Sequence, residues 1–98
     1  GVGKNRNMMH TLLLNAFMAC IEVDDFTNAL YFKKQIEKNF FEENETYFRI
    51  VYLWAEGLLD SKQGRVEEGQ RKMEDAIRIF EMIGCRKSAD YYRSAMKC

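Results

Sequence analysis

GLLDSKQGRVEEGQRKMEDAIRIFEMIG, residues 57–84, reads as the end of one helix, a tight turn and a second helix with two distinct faces. Gly64 stands where the first helix must stop, because glycine takes the left-handed cap conformation without steric cost. Val66, Met73, Ile77 and Phe80, with the small Gly69 and Ala76, then recur at three- and four-residue spacing and form one apolar stripe. On the opposite side Glu67–Arg71, Glu68–Lys72 and Glu74–Arg78 are i,i+4 pairs with the acid nearer the N-terminus, the favoured order. Glu67 and Glu68 also suit the positive end of the helix dipole. Gly84 closes the unit. The spacing predicts a helical hairpin whose inner and outer faces are both written in the sequence.

Outward from this hairpin the same texture continues. The chain has no proline, and its few glycines sit mostly at expected helix ends, so we read an all-α fold of about five antiparallel helices. The first, over 7–22, carries MMHTLLLNAFMACIE and is apolar nearly all round apart from His10, Thr11 and Asn15. Val23-Asp24-Asp25 makes a turn in which Asp24 or Asp25 caps the next helix. That helix, over 26–38, has Phe26, Ala29, Leu30, Ile36 and Phe40 on one side and Lys33, Lys34, Glu37 and Lys38 on the other. An acidic link over 41–45, with Asn44 as a cap, leads to a third helix over 45–63 that again lacks a clean polar face. The fourth spans 65–83, and a short last helix carries Ala89, Tyr92 and Met96.

Helices one and three are thus apolar on two faces, two and four on one. A helix that is hydrophobic all round is covered on more than one side. Stacked hairpins supply such covering, since each inner helix touches its partner, its neighbours and whatever fills the concave groove. A plain four- or five-helix bundle is the competing arrangement.

Residues 25–29, DFTNA, align with residues 65–69, RVEEG, at an offset of 40, and the turn residues Asp24 and Gly64 superpose with them. Gly57, Gly64, Gly69 and Ala76 occupy places that a tetratricopeptide repeat gives to small residues, where paired helices approach closely. The pattern departs from that repeat in three ways. Trp54 stands three before Gly57, where the consensus has its large residue one position earlier. The offset exceeds the usual spacing of about 34. No proline ends the unit. We therefore expect divergent, tetratricopeptide-like hairpins in a right-handed array.

Composition narrows the function. The 98 residues are 47% hydrophobic and 31% charged, which suits one globular domain, and formal net charge is zero. A neutral chain whose basic pairs are separated and interleaved with acids has no electrostatic grip on nucleic acid or anionic lipid. Three cysteines without CxxC spacing suggest neither a disulfide framework nor a zinc site, and they fit a reduced cytoplasm. Cys20 reads as a small core residue; Cys85 and Cys98 read as exposed and able to crosslink. No apolar run reaches membrane length and no signal peptide precedes it. Residues 1–6 are read as a disordered start or an expression remnant, and 7–98 as a helical-repeat domain cut from a longer protein.

Chemistry finds no footing. His10, the only histidine, is expected to face solvent or cap a helix rather than serve as a base. No glycine-rich phosphate loop follows a strand. Adjacent acids such as Glu42–Glu43, Glu67–Glu68 and Glu74–Asp75 read as solvated faces. No nucleophile–base pair exists to build on. We expect no enzyme, no metal and no cofactor. Met8, Met9 and Met18, on the over-apolar first helix, fill core gaps or form an adaptable surface.

The stretch over 47–92 is similar to the C-terminal end of the Rgg (MutR/GadR-type) transcription regulators of Gram-positive bacteria. The resemblance rests on Gly57-Leu58-Leu59, KQG at 62–64, MEDAIRIF at 73–80, Ile83-Gly84 and KSADY at 87–91. DDFTNALYFKKQIE at 24–37 resembles the preceding hairpin of the same domain. It implies a cytoplasmic regulator with a tetratricopeptide-like regulatory domain and an N-terminal helix-turn-helix domain. It also implies a homodimer, and in many members a response to short hydrophobic signalling peptides held on the concave surface. DNA would be met only through the helix-turn-helix domain, which these residues do not include.

The expected peptide-binding set is Thr11, Leu14, Asn15 and Met18 on the first helix with Val51, Trp54 and Leu58 on the third. Asn15 has the donors and acceptor to bond a peptide backbone. Interior packing is the alternative role for each apolar member. Tyr91, Tyr92 and Met96 form the expected dimer contact. Two other functions stay open: a structural dimerisation piece, and a general protein-docking module without a peptide ligand.

Overall fold

Three times the chain ends one helix and starts the next with the same turn. Asp24 (φ 61°), Gly64 (φ 97°) and Gly84 (φ 85°) each adopt the left-handed conformation. The amide that follows each one donates to a carbonyl five residues back: Asp25 to Cys20, Arg65 to Asp60 and Cys85 to Phe80, all at 2.8 Å. The amide of the left-handed residue itself reaches three residues back, to Ile21, Ser61 and Glu81. These paired bonds satisfy carbonyls that a helix end would otherwise leave open. Five residues after each left-handed position stands a buried small residue, Ala29, Gly69 or Ala89, where the new helix first meets the old one.

The computed structural model describes residues 2–40 and 46–96, with side chains placed over 9–38 and 46–96. The helices run in the order α1 (Val2–Glu22), α2 (Phe26–Phe40), α3 (Thr46–Lys62), α4 (Val66–Met82) and α5 (Arg86–Met96). The fold is all-α, with no strand among the described residues. α1 begins at Val2, five residues before the expected start. Asn44, expected to cap α3, lies outside the described residues, as do Phe41 and Cys98.

Two compact units divide the chain, Gly1–Phe48 and Arg49–Cys98, and the boundary falls within α3. In the first unit α1 packs on α2. Its core is Leu14, Phe17, Ile21, Ala29 and Ile36. Asp25 is the residue that caps α2: its carboxylate accepts from the Asn28 backbone amide at 3.3 Å and from the Asn28 side chain at 2.7 Å. His10 corrects the sequence reading, because it is 2% exposed and its ring meets Phe48 edge-on at 6.4 Å. Leu30, expected on the inner side of α2, is 46% exposed. The buried line of that helix passes through Ala29 and Ile36 and leaves Leu30 to one side.

In the second unit the aromatic side chains hold three helices together. Tyr92 of α5 stacks on Phe80 of α4 at 5.6 Å with an 8° interplanar angle, and meets Trp54 of α3 at 5.0 Å. Met73, Ala76 and Ile77 complete the buried stripe of α4. Val66, assigned to that stripe from its spacing, is 49% exposed because it opens the helix beyond the end of α3 at Lys62. α3 and α4 touch backbone to backbone. A Cβ on Gly57 would lie 2.5 Å from the carbonyl oxygen of Gly69, and one on Gly69 would strike the carbonyl of Gly57 in return.

Candidate functional site

α1 carries two apolar stripes on opposite sides. His10, Leu14, Phe17 and Ile21 form the buried one. Met9, Leu12, Ala16 and Ala19, with Val23 just past the helix end, recur at the same three- and four-residue spacing about half a turn away. Met9 is 50% exposed, Leu12 63% and Val23 74%. A surface helix of a globular domain ordinarily shows water a polar back. Alongside the exposed stripe run Thr11 and Asn15, both exposed, and the half-buried Met18. α1 therefore offers apolar contact area beside hydrogen-bonding side chains, the composition that a peptide backbone with apolar side chains requires.

The other expected peptide-facing residues lie elsewhere. Leu14 sits on the buried stripe of α1 at 4% exposure. Val51 and Trp54 of α3 are 3% exposed, and Leu58 is half-buried. From Ile50 to Asp60 no residue of α3 is exposed. The indole N–H of Trp54 is buried and donates to no acceptor among the described residues. The four α1 residues belong to one unit and the three α3 residues to the other. Met9, Leu12 and Val23 were absent from the expected set. Their signal was the all-round apolarity of α1, which resolves into an inner and an outer stripe once Phe17 and Ile21 are known to be inside.

At the end of the second unit, α4 and α5 enclose a groove of about 430 Å³ lined by Glu74, Ile77, Arg78, Glu81, Arg93 and Met96. Arg93 crosses it, donating to Glu81 at 2.7 Å and to Asp90 at 3.2 Å. Of the residues expected to pair two copies, Met96 lines this groove, Tyr91 is 67% exposed and Tyr92 is interior.

A charge cluster built on the buried Asp60, with the exposed Arg65 and the half-buried Lys72, sits at the α3–α4 turn. The Asp60 carboxylate accepts from Arg65 Nη2 at 2.8 Å, from Arg65 Nε at 3.3 Å and from Lys72 Nζ at 2.8 Å. Burial pushes the Asp60 carboxyl up, but hydrogen bonds from Lys72 and Arg65, backed by their charges, outweigh it and hold the group below its ordinary 3.8. The bond to Asp60 in turn holds the Lys72 ammonium above its ordinary 10.5 against the opposing effect of burial. Lys72 therefore spends its hydrogen bond on Asp60 and not on the expected Glu68, which acts on it only as a nearby charge. Arg78 likewise bonds Asp75, at 3.5 Å, where Glu74 was expected.

Among the described residues no three His, Cys, Asp or Glu side chains come together to hold a metal ion. None of the described helices is long and apolar enough to cross a membrane.

What the hairpins belong to is decided by comparison with known families. The model of the C-terminal domain of the HTH-type transcriptional regulator Rgg matches residues 1–94. The chain is a member of the Rgg C-terminal domain family. No curated protein matches it closely enough to add a named relative. As an Rgg C-terminal domain it is part of a transcription regulator, and the match runs from α1 into α5, so the exposed face of α1 and every residue of the α4–α5 groove but Met96 lie within the matched region.

Proposed function

We propose that this domain senses a short hydrophobic peptide for a cytoplasmic, homodimeric transcription regulator. The observation that carries the reading is the outer stripe of α1. Met9, Leu12 and Val23 expose apolar surface in a line, and Thr11 and Asn15 stand beside it with hydrogen-bonding groups. On this reading Asn15 bonds the peptide backbone and Met18 adapts to its side chains. Leu14 contributes from beneath, as packing that holds α1, whereas Val51 and Trp54 serve as interior residues of α3 and Leu58 is half-buried there. Tyr91 and Met96 contribute the contact to a second copy. The recurring turn and the small residues after it support the tetratricopeptide-like arrangement that such a sensor uses. DNA recognition belongs to a helix-turn-helix domain, in keeping with the zero net charge.

Titration with a panel of short apolar peptides, followed by calorimetry, tests the proposal. Saturable binding that Leu12→Asp and Asn15→Ala each weaken by about tenfold or more is the expected result, since 1.4 kcal/mol is a factor of ten. Binding indifferent to both substitutions contradicts it. Sedimentation separates the scaffold alternative: a dimer that no peptide of the panel binds supports a structural dimerisation module.

A further inference from the structure

The third of the recurring turns departs from the other two in what it shows to water. Just before the left-handed residue stand Glu22 and Val23 in the first turn, Lys62 and Gln63 in the second, and Met82 and Ile83 in the third. Only the third is apolar at both positions, and both side chains are exposed, Met82 at 78% and Ile83 at 50%. Just after the left-handed residue the charge reverses. Asp25 caps α2, and Glu67 and Glu68 open α4, whereas α5 opens with Arg86 and Lys87 and has no acid in its first turn.

The fold accounts for none of these choices. The backbone hydrogen bonds are the same in all three turns, so the turn forms without these four side chains. All four are exposed, so the core does not use them. A helix favours acids at its start, so two cations there work against its dipole. The nearest acids in the sequence are committed elsewhere, since Glu81 and Asp90 both pair with Arg93.

We propose that residues 82–87 are a docking surface for a short acidic, apolar segment of a protein partner. Met82 and Ile83 take its aliphatic side chains, and Arg86 and Lys87 take its carboxylates. Charge complementarity selects the acid: a purely apolar segment has no use for two cations, and a phosphate chain has none for Met82 and Ile83. An anionic membrane shares the chemistry, but two cations and two apolar side chains fall well short of what lasting attachment to a bilayer takes. The surface shares no residue with the outer stripe of α1 and stands whatever that stripe binds.

Amide-resolved titration of the full chain tests this with a peptide of alternating leucine and glutamate, its leucine–glutamine counterpart, and vesicles of phosphatidylcholine with phosphatidylserine. The expected result is a saturable shift of the 82–88 amides with the glutamate peptide, weakening as salt rises. Affinity falls about fivefold for the glutamine peptide, and about fivefold for the glutamate peptide in the Arg86→Gln/Lys87→Gln and Met82→Ser variants. The thermal midpoints of those variants stay at the parent's value, because the replaced side chains reach water. Equal affinity for the two peptides overturns the proposal, as does saturable binding that moves α1 and leaves 82–88 still. A chain that binds the vesicles and neither peptide, or none of the probes, overturns it too.

Discussion

At the scale of single residues, glycines with different duties give the sharpest contrasts. Gly64 has nothing within 4 Å of where a Cβ would stand, and only its left-handed backbone disfavours other residues. Gly69 has ordinary helical surroundings but faces Ser61 and the Gly57 carbonyl. Gly64→Ala is therefore expected to cost about 1–2 kcal/mol of backbone strain, and Gly69→Ala about 3 kcal/mol through overpacking against backbone that cannot yield. Chemical denaturation of the pair checks the order. Trp54 is the residue whose role the sequence left open between groove and core. At 3% exposure and packed on Tyr92, Trp54→Ala is expected to cost about 3–5 kcal/mol. Trp54→Phe should cost under about 1.5 kcal/mol, because the lost N–H has no acceptor among the described residues. The turn glycines were legible because their conformation is a local property. His10 was not, because a polar side chain reads as solvated until Phe48, far along the chain, is known to cover it.

At the scale of elements, the hairpins were readable and their electrostatics only in part. Periodicity found Gly69, Met73, Ala76, Ile77 and Phe80 together, since burial of a stripe is set by helix geometry alone. The i,i+4 rule misassigned Lys72, because a half-exposed pairing with Glu68 competes with a buried acid on another helix. No spacing rule shows that acid. The third turn, at Gly84, escaped the repeat alignment because α5 shares little with α2 and α4 beyond its small Ala89. The Asp60 charge cluster has a definite pH signature. A carboxyl held below its ordinary 3.8 lends stability that is present above that value and lost as pH falls through the lowered one. A lysine held above 10.5 lends stability that is present below that value and lost as pH rises through the raised one. Asp60→Asn is accordingly expected to lower stability by at most about 1 kcal/mol at pH 7, because Arg65 and Lys72 are partly screened by solvent, with the gap to the parent closing below pH 3.8. Thermal melts of both chains at pH 7 and pH 2.5 check it; a gap of equal size at both pH values would show that the charge contributes nothing.

At the scale of the whole molecule, the chain is the C-terminal domain of an Rgg-type transcription regulator, and its apolar excess has a location. Sequence reasoning placed that excess on α1 and α3 alike. No residue of α3 from Ile50 to Asp60 is exposed, whereas α1 still shows Met9 and Leu12 to water. All-round apolarity cannot say which of two such helices is enclosed, because both satisfy the same composition rule. The sensing role rests on α1. Its most direct test is an amide-resolved titration of the full chain with a short apolar peptide that binds saturably by calorimetry. Shifts concentrated at Met9, Leu12, Asn15 and Ala19, and lost in Leu12→Asp, are the expected result. Saturable binding that leaves the α1 amides unmoved would contradict it.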